Sequence, residues 1–233
     1  MRHWNRYVTQ DELRPAIARY AGVGDESIVV GNGADEMIDL VQRIYLERGD
    51  AVVDCPPSFE MYSILATVNA ARVVEIPRRD DFAIDVGAIE RAVERDKPKL
   101  IFVANPSNPD GTCASRPVVE RLLALPAVII LDEAYAEFGG KSVASLAGEI
   151  ENLVVFRTLS KAWGLAGIRL GFMVANEKVV DLAMRIKPPY NVNAVTQKIA
   201  LGALREGKSA MLSSVGKTVA QREWLGASLS RLP

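Results

Sequence analysis

An α/β fold built on a mostly parallel sheet is predicted by three observations. Short β-branched runs alternate with amphipathic stretches, two of those runs are almost wholly apolar, and polar turns rich in glycine or proline follow most of them. The first run is 27–30, and Met37, Ile38, Leu40, Val41, Ile44 and Tyr45 behind it carry the spacing of a helix with one buried face. Further runs stand at 51–55, 72–76, 99–104, 127–131, 153–156 and 168–174, so about seven strands are expected in one sheet, with helices on both faces. The runs at 99–104 and 127–131 are the almost wholly apolar ones, as central strands covered on both sides should be. Between Phe156 and Ile168 the chain is too short for a packed crossover helix, so the last strand is expected to run antiparallel to its predecessor. Beyond Asn176 the pattern turns helical: Val179, Val180, Leu182, Ala183 and Ile186, a break at Pro188-Pro189, then about 194–206 and a long stretch from about 208. No repeat or Gly/Ser linker marks a domain boundary before about residue 190.

Composition narrows the function. The 233 residues are 49% hydrophobic and 24% charged, within the ordinary globular range. Area scaling sets roughly 10,000 Å² of folded surface against roughly 37,000 Å² unfolded, enough burial for a core without disulfides or metal. Lys and Arg number 28, Asp and Glu 29, and the signs are interspersed, so neither nucleic acid nor an anionic membrane is an expected partner. Cys55 and Cys113 form no CxxC and His3 is the only histidine, which argues against a metal cluster and against Ser-His-Asp hydrolysis. No segment approaches the ~18 apolar residues of a membrane span, and a cytoplasmic setting is expected.

In open α/β sheets ligands bind beyond the carboxyl ends of the strands, so the residues just after each strand are the informative ones. Gly31-Asn32-Gly33-Ala34-Asp35-Glu36 follows the first, and taken alone is either a tight strand-to-helix turn or a phosphate cradle of free N–H groups at a helix start. It matches neither GxGxxG nor GxxxxGK[ST]. Cys55-Pro56-Pro57-Ser58-Phe59 follows the second; Phe59 is a packed core aromatic or a flat stacking surface. Asn105-Pro106-Ser107-Asn108-Pro109-Asp110-Gly111 is a proline-stiffened polar loop. Asp132-Glu133-Ala134-Tyr135 puts a carboxylate directly after an apolar strand, where Asp132 is expected to be desolvated and to need a cationic partner. Thr158-Leu159-Ser160-Lys161 ends in a lysine before a Gly/Ala-rich turn, with Arg169 eight residues on; it is a solvated charge or a partly buried nucleophilic amine. What favours the functional reading is the combination at one sheet edge.

With those segments, Asn5-Arg6-Tyr7, and Pro188-Pro189-Tyr190-Asn191-Val192-Asn193 in view, the chain resembles the class I/II aminotransferases, pyridoxal-phosphate enzymes of fold type I, and most of all their histidinol-phosphate branch. The resemblance runs from about Asn5 to the end. It implies pyridoxal 5'-phosphate as cofactor, with Lys161 as the lysine that carries it and then moves the proton at the substrate Cα. Asp132 would pair with the ring nitrogen, Tyr135 and Asn108 would hydrogen-bond the 3-oxygen, and Phe59 would stack on the ring. The phosphate would take the backbone N–H groups of Ala34 and Asp35, the hydroxyls of Thr158 and Ser160, and the Arg169 guanidinium. Tyr7 would reach the phosphate of a partner subunit, so a homodimer is implied.

The implied reaction moves an amino group from a small-molecule donor, histidinol phosphate, to a 2-oxo acid, 2-oxoglutarate. The alternatives are a related enzyme such as a threonine-phosphate decarboxylase, and a noncatalytic cofactor-binding fragment. The fragment alternative arises because family members are longer. They begin with an arm over the site and end in a small domain that clamps the substrate carboxylate. Residues 1–206 are therefore expected to be the cofactor-binding large domain lacking its arm, and 207–233 the interdomain helix at the start of a small domain. Leu212, Val215, Val219 and Leu225 are expected to be exposed on it. Asp110 departs from the family's usual threonine and adds a negative charge near the site.

Overall fold

The structure is a computed structural model and describes residues 5–232. His3 lies outside them. Seven strands form one sheet: β1 (Ile28–Asn32), β2 (Ala51–Asp54), β3 (Arg72–Glu75), β4 (Leu100–Ala104), β5 (Val128–Asp132), β6 (Leu153–Thr158) and β7 (Leu170–Val174). Their spatial order is β1-β7-β6-β5-β4-β2-β3. β7 runs antiparallel to both β1 and β6, while the other pairings are parallel. This is the mostly parallel sheet with one antiparallel strand that the short 156–168 link predicts. β1 extends past the expected 27–30 because Gly31 and Asn32 pair with Gly171 and Leu170.

Strand alternation builds two cores. Ile129, Leu131 and Val155 face α1 (Leu13–Ala21), α4 (Val86–Asp96), α5 (Arg116–Leu123) and α7 (Ala194–Glu206). Ile130, Val154 and Phe156 face α2 (Ala34–Tyr45), α3 (Met61–Val68) and α6 (Glu177–Ile186) on the other side. The period of two then sends Asp132 and Thr158 toward the α2–α3 side and Arg157 toward α1. Local chemistry sets the helix ends. Asp85, Asn176 and Asn193 cap α4, α6 and α7 by accepting from the N–H groups of Ala88, Val179 and Thr196, and Gly22 ends α1 in the left-handed region at φ 77°.

After Gly207, α8 (Lys208–Leu229) packs on the turn at 136–138. The expectation of an exposed apolar face on α8 needs a correction. Leu212 and Leu225 are exposed, but Val215 is buried with Met211 and Ala162, and Val219 is half-buried against them. Among the described residues no helix is long and apolar enough to cross a membrane.

Candidate active site

The carboxyl ends of β4, β5 and β6 and the start of α2 surround an open cavity of about 670 Å³, its mouth included. Its floor is Asp132, 6% exposed at the end of β5. The Tyr62 hydroxyl donates to Oδ2 at 2.6 Å and the Ala134 N–H to Oδ1 at 3.0 Å. Burial pushes the Asp132 carboxyl above the usual carboxylate range, against those two hydrogen bonds. Among the described residues no basic side chain forms an ion pair with Asp132, whose side-chain hydrogen bond comes from Tyr62. Tyr62 lines the cavity and had no assigned role in the sequence. Its signal was the i, i+3 spacing from Phe59 at the start of α3, since a buried tyrosine hydroxyl seeks a partner. Tyr62 stacks on Phe102 with centroids 4.9 Å apart, and Phe59 meets it edge-on at 5.7 Å. Behind Phe59 the turn is braced by Asp54, which accepts from the Cys55 N–H at 2.7 Å and the Ser58 hydroxyl at 2.6 Å.

One wall is a tight backbone concavity. Gly33 has φ 80°, and a Cβ there would stand 2.6 Å from Arg169 Nη2. A Cβ on Gly171 would lie 2.3 Å from the Gly33 carbonyl carbon and 2.4 Å from the Ala34 nitrogen. Glycine at both positions therefore lets β7 press against the N-terminus of α2, whose first-turn N–H groups have no intrahelical partners. Arg169 Nη2 reaches Asp35 Oδ2 at 3.1 Å, with both side chains about half exposed. Thr158 Oγ1 accepts from the Ser160 N–H at 3.0 Å and lies 3.1 Å from the Leu170 carbonyl, so this hydroxyl braces the turn and the Ser160 hydroxyl stands beside it.

Lys161 is exposed at the mouth rather than partly buried, its Nζ 5.2 Å from the centre of the Tyr135 ring. It sits on the short connection from β6 to β7. Asn108 reaches the cavity from the loop after β4. Asp110 now has an account. It turns inward to accept from Ser107 Oγ at 2.6 Å, from the Thr112 N–H at 2.8 Å and from the Thr112 hydroxyl. Burial works against its charge, but the Ser107 and Thr112 hydrogen bonds prevail and hold its carboxyl below the usual range.

Ala34, Asp35, Phe59, Asn108, Asp132, Tyr135, Thr158, Ser160, Lys161 and Arg169 thus line one cavity. Tyr7 does not. It is 80% exposed and stacks on Tyr190 with ring centroids 4.5 Å apart.

The family model of "Aminotransferase class I and II" matches residues 1–231. The chain belongs to this family. Within it, the chain is 49% identical over 221 residues to a histidinol-phosphate aminotransferase of Roseiflexus castenholzii, covering 95% of this chain and 59% of the relative. Among solved structures it is similar to the histidinol-phosphate aminotransferase of Sinorhizobium meliloti in complex with pyridoxal 5'-phosphate. That match has a TM-score of 0.89 and 26% identity and covers 96% of this chain and 62% of that one. An L-threonine-O-3-phosphate decarboxylase of Porphyromonas gingivalis also shares the fold, with a TM-score of 0.75 at 25% identity over 88% of this chain and 64% of its own. The chain therefore spans about six-tenths of the length of the family members it matches.

Proposed function

We propose that the cavity holds pyridoxal 5'-phosphate and that the chain is the cofactor-binding part of an aminotransferase acting on histidinol phosphate and 2-oxoglutarate in histidine biosynthesis. The observation that carries this reading is a buried carboxylate with no cationic partner, Asp132, on the floor of a cavity with a lysine at its mouth. The donor set fits the cofactor. The glycine-built cradle at Gly33 and Gly171 would receive the phosphate on the N–H groups of Ala34 and Asp35, with the Ser160 hydroxyl and the Arg169 guanidinium alongside. Thr158 would support that contact by bracing Ser160. An entering phosphate would compete with Asp35 for Arg169, an exchange of small cost because the existing pair is half exposed.

Bound there, the cofactor would supply an electron sink that acidifies the substrate Cα–H. Asp132 would keep a proton on the ring nitrogen, and that cation would in turn stabilise the carboxylate that burial now disfavours. Tyr135 and Asn108 would hydrogen-bond the ring's 3-oxygen, and Phe59 would exclude water from one face. Lys161 would take the proton from the substrate Cα and return it one atom away. Tyr7, exposed beside Tyr190, would serve the phosphate of the second subunit in a homodimer. A cytoplasmic setting is part of the same proposal. So is the division at 206/207, which is supported by the break at Gly207 and by the packing of α8 on the 136–138 turn rather than on the sheet.

The test is a single-turnover half-reaction. Histidinol phosphate added to protein preloaded with pyridoxal phosphate is expected to yield pyridoxamine phosphate and the matching ketone, separated by chromatography. Carbon dioxide from phosphothreonine would instead favour the decarboxylase whose fold the chain shares. Loading without conversion of either amine would leave a binding fragment.

A further inference from the structure

Directly behind the cavity floor lies a buried polar chain that the reaction does not use. Its members are the sequence neighbours of the cavity residues. Glu133 follows Asp132, Arg157 precedes Thr158, Glu137 stands two residues past Tyr135, and Trp163 two past Lys161. Strand alternation turns Arg157 of β6 to the α1 side of the sheet, where the segment after β5 brings Glu133 and Glu137, the β6–β7 connection brings Trp163, and α1 supplies Tyr20.

Arg157 is the hub. Its Nη2 donates to Glu137 Oε1 at 2.6 Å and to the Tyr20 hydroxyl oxygen at 3.2 Å. Its Nη1 donates to Ser142 Oγ at 3.0 Å, with Glu133 Oε2 at 3.5 Å. Glu133 also accepts from the Val143 N–H at 2.7 Å. The Tyr20 hydroxyl donates to Glu137 and accepts from the Trp163 indole N–H at 3.1 Å. The Tyr20 ring packs edge-on against Trp163 at 5.4 Å and against Phe172 of β7 at 6.3 Å. Burial pushes the Tyr20 phenol up to about 12, so it stays a neutral donor throughout the working pH range.

On the other side of Trp163 the chain turns through Gly164 at φ 66°, with the Gly164 N–H donating to the Lys161 carbonyl at 2.9 Å. The indole is thus the one side chain of this turn seen to be tied into the buried network, and Tyr20 is what it is tied to.

We propose that Tyr20 is a positioning residue for Lys161. Through Trp163 it anchors the Ser160–Gly164 turn to the Arg157 ion network, so that the lysine is held at the cavity mouth by the far side of the sheet. This rests on Lys161 being the cofactor lysine, but the anchoring itself is a property of the protein alone and is read separately.

The experiment compares the full chain with Tyr20→Phe and Trp163→Phe. Each substitution keeps a ring in place and removes one hydrogen-bonding group, so the second carries the test if the first fails to fold. Hydrogen exchange without cofactor is expected to quicken about tenfold in peptides spanning 159–165, the scale set by breaking one buried hydrogen bond and leaving its partner unsatisfied. Peptides in α2 should be unchanged. With cofactor, affinity for pyridoxamine phosphate, which cannot bond to the lysine, should stay within about twofold. Borohydride trapping of pyridoxal phosphate on Lys161 should slow about tenfold. Wild-type exchange at 159–165 in both variants would overturn the anchoring. Equal losses of affinity and trapping would reduce Tyr20 to general packing and overturn the positioning role. If wild type shows no trapping while exchange quickens in the variants, the cofactor reading fails and the anchoring stands.

Discussion

Asp132 accepts two hydrogen bonds and still carries a raised affinity for its proton, because burial penalises its charge more than Tyr62 and Ala134 relieve it. A carboxyl whose folded value lies above its unfolded one gives stability that is complete below the unfolded value near 3.8 and is lost as pH rises through the folded value. Without cofactor, the unfolding free energy of wild type should therefore fall relative to Asp132→Asn as pH rises from about 4. Denaturant midpoints of the two proteins across that range measure the difference, and parallel profiles would show that Asp132 is not desolvated. Asp110 behaves in the opposite sense. Its lowered value makes its contribution full above the unfolded pKa and lost in acid, so Asp110→Asn should cost about 1–2 kcal/mol at neutral pH and little near pH 2. Asp110 accepts three hydrogen bonds within its own loop, from Ser107 and twice from Thr112.

Gly171 of β7 shapes the cradle at the start of α2, and Arg157 of β6 holds the buried layer behind the cavity floor. Gly171→Ala would put a methyl carbon 2.3 Å from backbone of the cradle, where no flexible side chain can yield, and a loss of about 2–3 kcal/mol in thermal or urea unfolding is expected. Arg157→Ala would strand Glu133 and Glu137, both nearly inaccessible, and about 3–5 kcal/mol should go. The strand assignments were legible because β-branched runs and short links follow from backbone geometry, and the antiparallel β7 was readable from the length of one connection. The cavity residues were legible because strand ends are where the chain must place polar groups. The Tyr62–Asp132 and Tyr20–Trp163 contacts were not, since they join elements far apart in sequence, and no local spacing pairs residues 62 and 132 or 20 and 163. The Tyr62 hydroxyl on Asp132 was hidden for the same reason, because α3 brings it to the end of β5 from 70 residues away.

Across the whole molecule the accessible surface is 12361 Å², above the roughly 10,000 Å² expected of a compact chain this size. α8 accounts for part of the excess, with Leu212, Trp224, Leu225 and Leu229 at least half exposed while Val215 and Met211 are buried. The two sides of this helix should respond differently. Leu225→Ser should change stability by less than about 0.5 kcal/mol, whereas Val215→Ser should cost about 2 kcal/mol, read from urea midpoints. Equal costs would mean that the helix is rotated from the orientation seen.

The proposed function requires a cofactor bonded to Lys161 over the Asp132 floor. Its most direct test is borohydride reduction of the protein loaded with pyridoxal phosphate, followed by mass spectrometry of the peptides. One stable addition is expected, on the peptide containing Lys161, absent in Lys161→Ala and weakened in Asp132→Asn. No addition at Lys161, or labelling spread evenly over the surface lysines, would contradict it.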